Sequence, residues 1–143
     1  MILLDYPNKK PSIKKEGTRE LIFCLIRKKW FVLTPEEWVR QNTLLYLTEV
    51  MGYPASLIAV EKQVMLGELK KRFDIVVYKN ETPFMLIECK ELNIPINQKT
   101  MDQALRYNIK LQAPFCFISN GNSCFGFKIE DGSVESLTNF PSY

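Results

Sequence analysis

Asp74, Glu88 and Lys90 all fall within one short stretch, KKRFDIVVYKNETPFMLIECK, spanning Lys70 to Lys90, in which two apolar runs flank a polar turn. Charges in the middle of strands are costly unless something compensates them. If the runs pair as an antiparallel hairpin whose turn is centred on Glu81, residue i lies opposite residue 162 − i. Asp74 then faces Glu88, and Arg72 faces Lys90, with opposed Cβ atoms ~5 Å apart. The two-residue period of a strand puts Glu88 and Lys90 on one face and Cys89 on the other. Two opposed carboxylates repel unless a proton or a cation bridges them. Carboxylate oxygens favour hard cations, Mg²⁺ above all, with Mn²⁺ as a substitute. A lysine beside them would place a positive donor near a phosphate or an attacking water. That set suits metal-assisted phosphodiester hydrolysis. The competing reading is two ordinary cross-strand ion pairs on a solvated face, and spacing alone does not separate the two.

The elements that must hold these residues follow from periodicity and capping. A helix begins at TPEEWVRQNTLLYLTEVMG, with Thr34 as N-cap, Pro35 at the first helical position and Glu37 completing a capping box. Gly52 and Pro54 end it. AVEKQVML alternates and predicts a strand, Gly67 and Glu68 turn the chain, and RFDIVVY and FMLIECK form the hairpin. Pro95 stops the last strand, NQKTMDQALRYNIKLQ predicts a helix, and PFCFISNG and SCFGFKIEDG predict two strands joined at Asn120-Gly121-Asn122. A strand at Leu21–Leu25 is expected before the first helix. PFCFIS, arriving after a helix, should join the sheet parallel to an earlier strand. The IVV and MLI runs are apolar on both faces, so helices should cover both sides of the sheet. The architecture expected is a small α/β sandwich, with residues 1–19 a loosely packed arm and residues 20–143 a single domain.

Composition narrows the chemistry further. The 143 residues hold no histidine, which removes histidine bases, Ser-His-Asp and Cys-His catalysis and histidine-ligated metals. The four cysteines form no C-x-x-C pair and sit among apolar residues, as buried free thiols do. No apolar run approaches the ~18 residues of a membrane span, and the proline-interrupted start is not a secretory signal, so the expected location is cytoplasmic. A net charge of +3 is too small to diagnose nucleic-acid binding, but KKPSIKK, RKK at 27–29 and KKR at 70–72 are local basic clusters. The aromatics Trp30, Trp38, Phe115, Phe117, Phe125 and Phe127 lie in periodic apolar runs and read as core.

R-F-D-I-V-V followed by E-C-K at the end of an apolar strand resembles the PD-(D/E)XK nuclease superfamily. TPEEWVRQ, KRFDIVVY, LIECKE, DQALRYN and ISNG occur in an order similar to that of the N-terminal nuclease domain of type I restriction enzyme R subunits. The resemblance covers roughly residues 25–128. It implies a restriction-endonuclease-like mixed β-sheet sandwiched by α-helices, with Asp74 and Glu88 as Mg²⁺ ligands and Lys90 as the catalytic lysine. The reaction it implies is hydrolysis of DNA. Phe73 stands where the superfamily's name has proline. The superfamily often adds a glutamate from the first helix, as a further metal ligand and catalytic residue. Helical phase places Glu36 within the stripe of Val39, Leu44, Leu47, Val50 and Met51, and Glu37 well off it, which selects Glu36, with Arg40 one turn later. Glu36 could equally favour the positive helix N-terminus.

Gln103 and Tyr107, four apart on one helix face, resemble the family's Q-x-x-x-Y motif near the active site. Thr100 and Gln103 also spell a capping box, and only a helix starting at Asn97 leaves Gln103 free. Lys70, Lys71, Arg72 and Arg40 are the expected contacts to the nucleic-acid backbone. The chain contains no G-x-x-x-x-G-K-[ST] loop. It is therefore expected to be a stand-alone relative, or a domain working with a translocase or other restriction subunits. A binding or interaction module of the same fold, with little turnover alone, is the alternative function. Many members act as dimers, and nothing in the sequence identifies an interface.

Overall fold

The computed structural model describes residues 1–143 and is a mixed α/β fold with two sheets. The first sheet is an antiparallel meander of β1 (Ile13–Glu16), β2 (Arg19–Cys24) and β3 (Lys29–Val32). Helix α1 (Pro35–Leu45) follows and runs on into a π-helical turn, Tyr46–Val50. Then come β4 (Ile58–Leu66), β5 (Leu69–Lys79), β6 (Thr82–Cys89), helix α2 (Gln98–Leu111), β7 (Phe115–Ser119), β8 (Cys124–Glu130) and β9 (Ser133–Leu137). These six strands form one sheet in sequence order. Only β6 and β7 are parallel, because α2 carries the chain back across the sheet between them.

Each face of the sheet receives one helix, as the doubly apolar strands require. Val39, Leu44 and Leu47 on the α1 side pack in one core with Ile75, Val77, Ile87, Cys89 and Phe117. Ala104 of α2 packs in a second core with Phe73, Val76, Leu86 and Cys116. Phe73 thus shares a face with Val76 rather than with Ile75, so the strict alternation of β5 slips at Asp74. The neighbouring strand explains the slip. Glu61 has a left-handed backbone (φ 58°) in the middle of β4, and the ladder there runs from Val60↔Ile75 to Lys62↔Phe73.

The hairpin register agrees with the pairing expected from sequence over Ile75–Val77, the ladder ending one residue short of Asp74 and Glu88. Ile75 lies opposite Ile87, Val76 opposite Leu86 and Val77 opposite Met85. The turn itself is tighter than the KNETP loop. Strand pairing continues to Lys79↔Thr82, the two turn residues Asn80 and Glu81 take φ of 52° and 65°, and a bulge between Val77 and Tyr78 absorbs the difference.

The first 19 residues are not a loose arm along their whole length. Ile13–Glu16 pairs with β2, Ile2 is buried with its N–H donating to Cys124 at 2.7 Å, and Tyr6 packs edge-on against Tyr46. Strands β1, β3 and β9 were not anticipated, and β2 begins and ends earlier than Leu21–Leu25. Trp30 and Trp38 are each 38% exposed rather than core. All four cysteines are free and buried. No helix is long and apolar enough to cross a membrane.

Phe117 is fully buried and stacks on Phe140 at 4.0 Å, and its ring lies directly over Gly126 of the neighbouring strand. A Cβ at Gly126 would collide with that ring. Gly126→Ala should therefore cost about 1–3 kcal/mol of stability, as overpacking does, read as a lower urea midpoint at unchanged slope.

Candidate active site

Arg40 lies at the centre of the site. Its side chain is buried on α1, and one terminal nitrogen, Nη2, meets Glu61 at 2.6 Å, Asp74 at 2.7 Å and Glu36 at 3.3 Å. The other, Nη1, donates to Glu37 at 2.7 Å. Glu37 in turn accepts both 3.0 Å bonds of Arg27 and one from Gln41. One guanidinium thus joins α1, β4 and β5, and through Glu37 the turn between β2 and β3. Burial alone would lower the Arg40 pKa, but its bond to Asp74 and the charges of Asp74, Glu37 and Glu61 raise it, so it is always a cation.

Asp74 and Glu88 sit next to one another in very different surroundings. Asp74 Oδ1 accepts from Arg40, and Oδ2 accepts from the Cys89 backbone N–H at 2.8 Å. Burial pushes its pKa up, but bonds from Glu88, Cys89 N–H and Arg40 outweigh burial and hold it below its usual range. Glu88 is pushed well above the carboxylate range, first by burial and then by the Asp74 charge beside it. The two acids are therefore pushed apart, with Glu88 the later of the two to lose its proton as pH rises. Glu88 Oε1 is buried and meets no hydrogen-bond partner. Lys71 Nζ, 3.9 Å from Oε2, is the nearest cation.

Lys90 lies just beyond the end of β6, where its N–H donates to Ser119 O at 2.8 Å and carries the β6–β7 pairing one residue further. It lines a cleft of about 100 Å³ with Lys71, Glu88, Thr100, Gln103 and Tyr107. Helix α2 does start at Asn97. Asn97 and Thr100 cap each other with two 3.0 Å bonds, so Thr100 fills the capping box and Gln103 faces the cleft, 3.5 Å from the Tyr107 hydroxyl. The Tyr107 ring lies under Lys71, with Nζ 4.9 Å from its centre.

The structure therefore brings Asp74, Glu88, Lys90, Lys71, Gln103 and Tyr107 together. Glu36 stands at the rim, about half exposed, and its pKa is raised by partial burial and then by Asp74. The helical phase misassigned the two acids: Glu37, not Glu36, is the buried one. The stripe of α1 describes contact with the large sheet, whereas its first turn is also covered by Arg27. Thr34 caps the helix by accepting from Glu37 N–H, but the Glu37 carboxylate is engaged by arginines and does not complete a box. Arg40 is a second correction. Enclosed by carboxylates, it is not a nucleic-acid contact. Lys70 is exposed, and Arg72, 70% exposed, lies 4.0 Å from Glu61 at the cluster's edge. Asn108 is buried and clamps Ala113 N–H and C=O, and Asn120 caps its own turn and holds Ile94 O, both structural tasks.

Sequence reasoning missed Glu61. The signal was there: a two-residue turn at Gly67-Glu68 puts Glu61 opposite Asp74 by the same arithmetic that pairs Asp74 with Glu88. No set of three acidic, cysteine or histidine side chains is arranged to hold a metal ion, and three of the acids converge on Arg40 Nη2 instead. The donor set at Asp74 and Glu88 nevertheless fits a hard cation, since it offers two adjacent carboxyls and one orphaned oxygen.

Two outcomes follow. A raised Glu88 pKa means the fold holds this proton more tightly than the unfolded chain does. The associated stability is complete below the unfolded carboxylate pKa and is lost as pH rises through the folded one. Glu88→Gln should remove that loss, so that thermal melts in EDTA flatten with pH and the variant melts higher than wild type near neutrality. Arg40→Met leaves buried acids without their cation and should cost about 3–5 kcal/mol in urea denaturation.

The comparisons with known proteins agree with this architecture. The family model described as type I restriction enzyme R protein N terminus matches residues 35–141. Among solved structures, the chain is similar to a fragment of a protein assigned as an HsdR subunit of a type I restriction enzyme from Vibrio vulnificus YJ016, with 22% identity and a TM-score of 0.57. The match covers 77% of this chain and 24% of that one, so the chain spans about a quarter of its solved relative. No curated protein matches. By the extent of the family match, the chain belongs to the type I restriction enzyme R protein N-terminal family.

Proposed function

We propose that this chain is a metal-dependent nuclease domain of the PD-(D/E)XK kind, which hydrolyses DNA phosphodiesters with Mg²⁺, or Mn²⁺ in its place. The observation that carries this reading is the buried Asp74–Glu88 pair, whose Glu88, with its orphaned oxygen, lines a cleft that also holds Lys90. Asp74 and Glu88 would hold the ion, with Glu36 at the rim as a further ligand. When bound, the ion supplies Lewis-acid polarisation of a phosphate oxygen and a more acidic water. Arg40 and the Cys89 N–H keep Asp74 ionised and fixed in direction. Glu88 would have to be ionised to serve as a ligand, since a carboxylate rather than a carboxylic acid binds a hard cation. Lys90 lies where its ammonium can orient the attacking water or meet the charge that builds on the phosphate. Lys71 is held by the Tyr107 ring and Glu88 at the same cleft, and Gln103 and Tyr107 offer neutral donors to the phosphate backbone. Lys70 and Arg72 add exposed positive charge at the start of β5. The partners implied are DNA and, given the family, other parts of a restriction assembly such as a translocase.

One observation favours a second reading, a DNA-binding module with little turnover alone. Asp74 is already satisfied by Arg40, and no three-ligand cluster is formed. The two readings separate in one assay. The nuclease reading expects Mg²⁺-dependent cleavage of plasmid or linear DNA, with Lys90→Ala and Asp74→Asn each reducing the rate ~10²-fold or more while the variants remain folded. Cleavage that survives both substitutions overturns the site. DNA binding in Ca²⁺ with no cleavage in Mg²⁺ or Mn²⁺ selects the binding module.

A further inference from the structure

Positive charge is not spread evenly over this chain. Residues 1–33 carry eight Lys and Arg against three Asp and Glu, a net +5, whereas the other 110 residues are net −2. The fold gathers these cations onto the small β1–β2–β3 sheet and its turns, which lie outside the residues the family model matches. Arg27 is committed to Glu37, and Lys9 and Lys14 have long, exposed pairs at 3.4 and 3.8 Å. Lys10, Lys15, Arg19, Lys28 and Lys29 are exposed with no carboxylate within 4.0 Å. Four of these unpaired cations stand on the sheet and its β2–β3 turn, with Lys10 just before β1, and together they are a strong local field for a polyanion.

The same sheet presents an aromatic surface. Trp30 is directly paired with Phe23 across the β2–β3 ladder, packs edge-on against it at 5.2 Å and is 38% exposed, with Lys14 Nζ 4.4 Å over its ring. Position supplies the last argument. The double bond from Arg27 to Glu37 pins the β2–β3 turn to the first turn of α1, the helix that carries Glu36 and Arg40 into the acid cluster. The basic sheet therefore borders the candidate site.

We propose that the β1–β2–β3 sheet is a docking surface for the phosphate backbone of duplex DNA, holding the stretch of substrate that flanks the bond at the acid cluster. The choice of DNA as the occupant rests on the nuclease reading above; the charge asymmetry does not.

The test uses the full chain, a fluorescein-labelled 20-base-pair DNA duplex and EDTA, so that binding is read without cleavage. Lys15→Ala/Arg19→Ala/Lys28→Ala/Lys29→Ala is compared with a control that removes four cations elsewhere, Lys62→Ala/Lys79→Ala/Arg106→Ala/Lys110→Ala. The sheet variant should bind at least tenfold more weakly at 0.1 M salt. The slope of log K against log salt should fall by about three to four, one phosphate contact contributing ~0.9. The control should change little. Every substituted position is exposed except Lys79, which is half-buried over Phe84, and circular dichroism checks that each variant is folded. Equal losses in the two variants, or no loss in the sheet variant, overturn the proposal, and so does a loss seen only with duplex RNA. The nuclease reading fails separately: a chain that binds DNA through the sheet and never cleaves it keeps this inference and loses that one.

Discussion

A single guanidinium decides the shape of this site. Arg40 is buried, and burying a lone cation costs several kcal/mol, so its position is tenable only because Glu37, Glu61 and Asp74 surround it at 2.6–2.7 Å. The reverse is also true: acids drawn from one helix and two strands could not approach so closely without it. Remove the cation and β4 has no reason to hold Glu61 in a left-handed conformation, a strain of order 1–3 kcal/mol. The slip in the alternation of β5 at Asp74 is the same constraint seen from the next strand. The slip turns Asp74 toward α1 and leaves Glu88 toward α2.

This asymmetry divides two chemically similar acids into different states. Asp74 meets a fixed cation and a backbone N–H, and stays ionised. Glu88 meets a negative neighbour, has one buried oxygen without a hydrogen-bond partner, and holds its proton more tightly than an ordinary carboxyl. Environments that separate the pKa values of neighbouring carboxyls assign them different tasks. Here Asp74 is the acid that its neighbours favour in ionised form, and Glu88 is the one whose proton they favour. Lys90 and Lys71 complete the contrast, since both lie on the Glu88 side, in the cleft, and neither meets Asp74 within salt-bridge distance.

How much of this could be read from sequence depended on whether the information was local. The hairpin register could be read, because two apolar runs and a short turn leave one alignment that buries both runs. The parallel β6–β7 pair and the helix on each face followed from the order of elements and from strands apolar on both sides. The start of α2 at Asn97 was open between two capping patterns, and Thr100 settled it by occupying the box. Glu37 could not be assigned from phase, because the group that buries it, Arg27, comes from a turn in a different sheet. The N-terminal meander escaped for the same reason: IKKE and KWFV are four residues each, too short to show a pattern, and become strands only through pairing with RELIFC. Glu61 was legible in principle and was missed, since Val60, Lys62 and Val64 drew attention to the other face of β4.

The charge balance around the acids carries one more consequence. On the proposed nuclease reading, a phosphodiester at this cluster would come up against an excess of acids, Asp74, Glu61, Glu37 and Glu36 around the single enclosed cation Arg40. On that reading the acids would hold a cation, yet the same acids would repel a phosphodiester. The fold resolves the conflict by separating the two fields in space. Negative groups converge inward on α1, β4 and β5, while unpaired cations stand outward on the N-terminal sheet and, as Lys70, at the start of β5, with exposed Arg72 at the cluster's edge 4.0 Å from Glu61. At an ionic strength of about 0.15 M, screening acts over ~8 Å, so outward cations attract a backbone segment without cancelling the acids beneath. The double bond from Arg27 to Glu37 is what keeps those two fields in register.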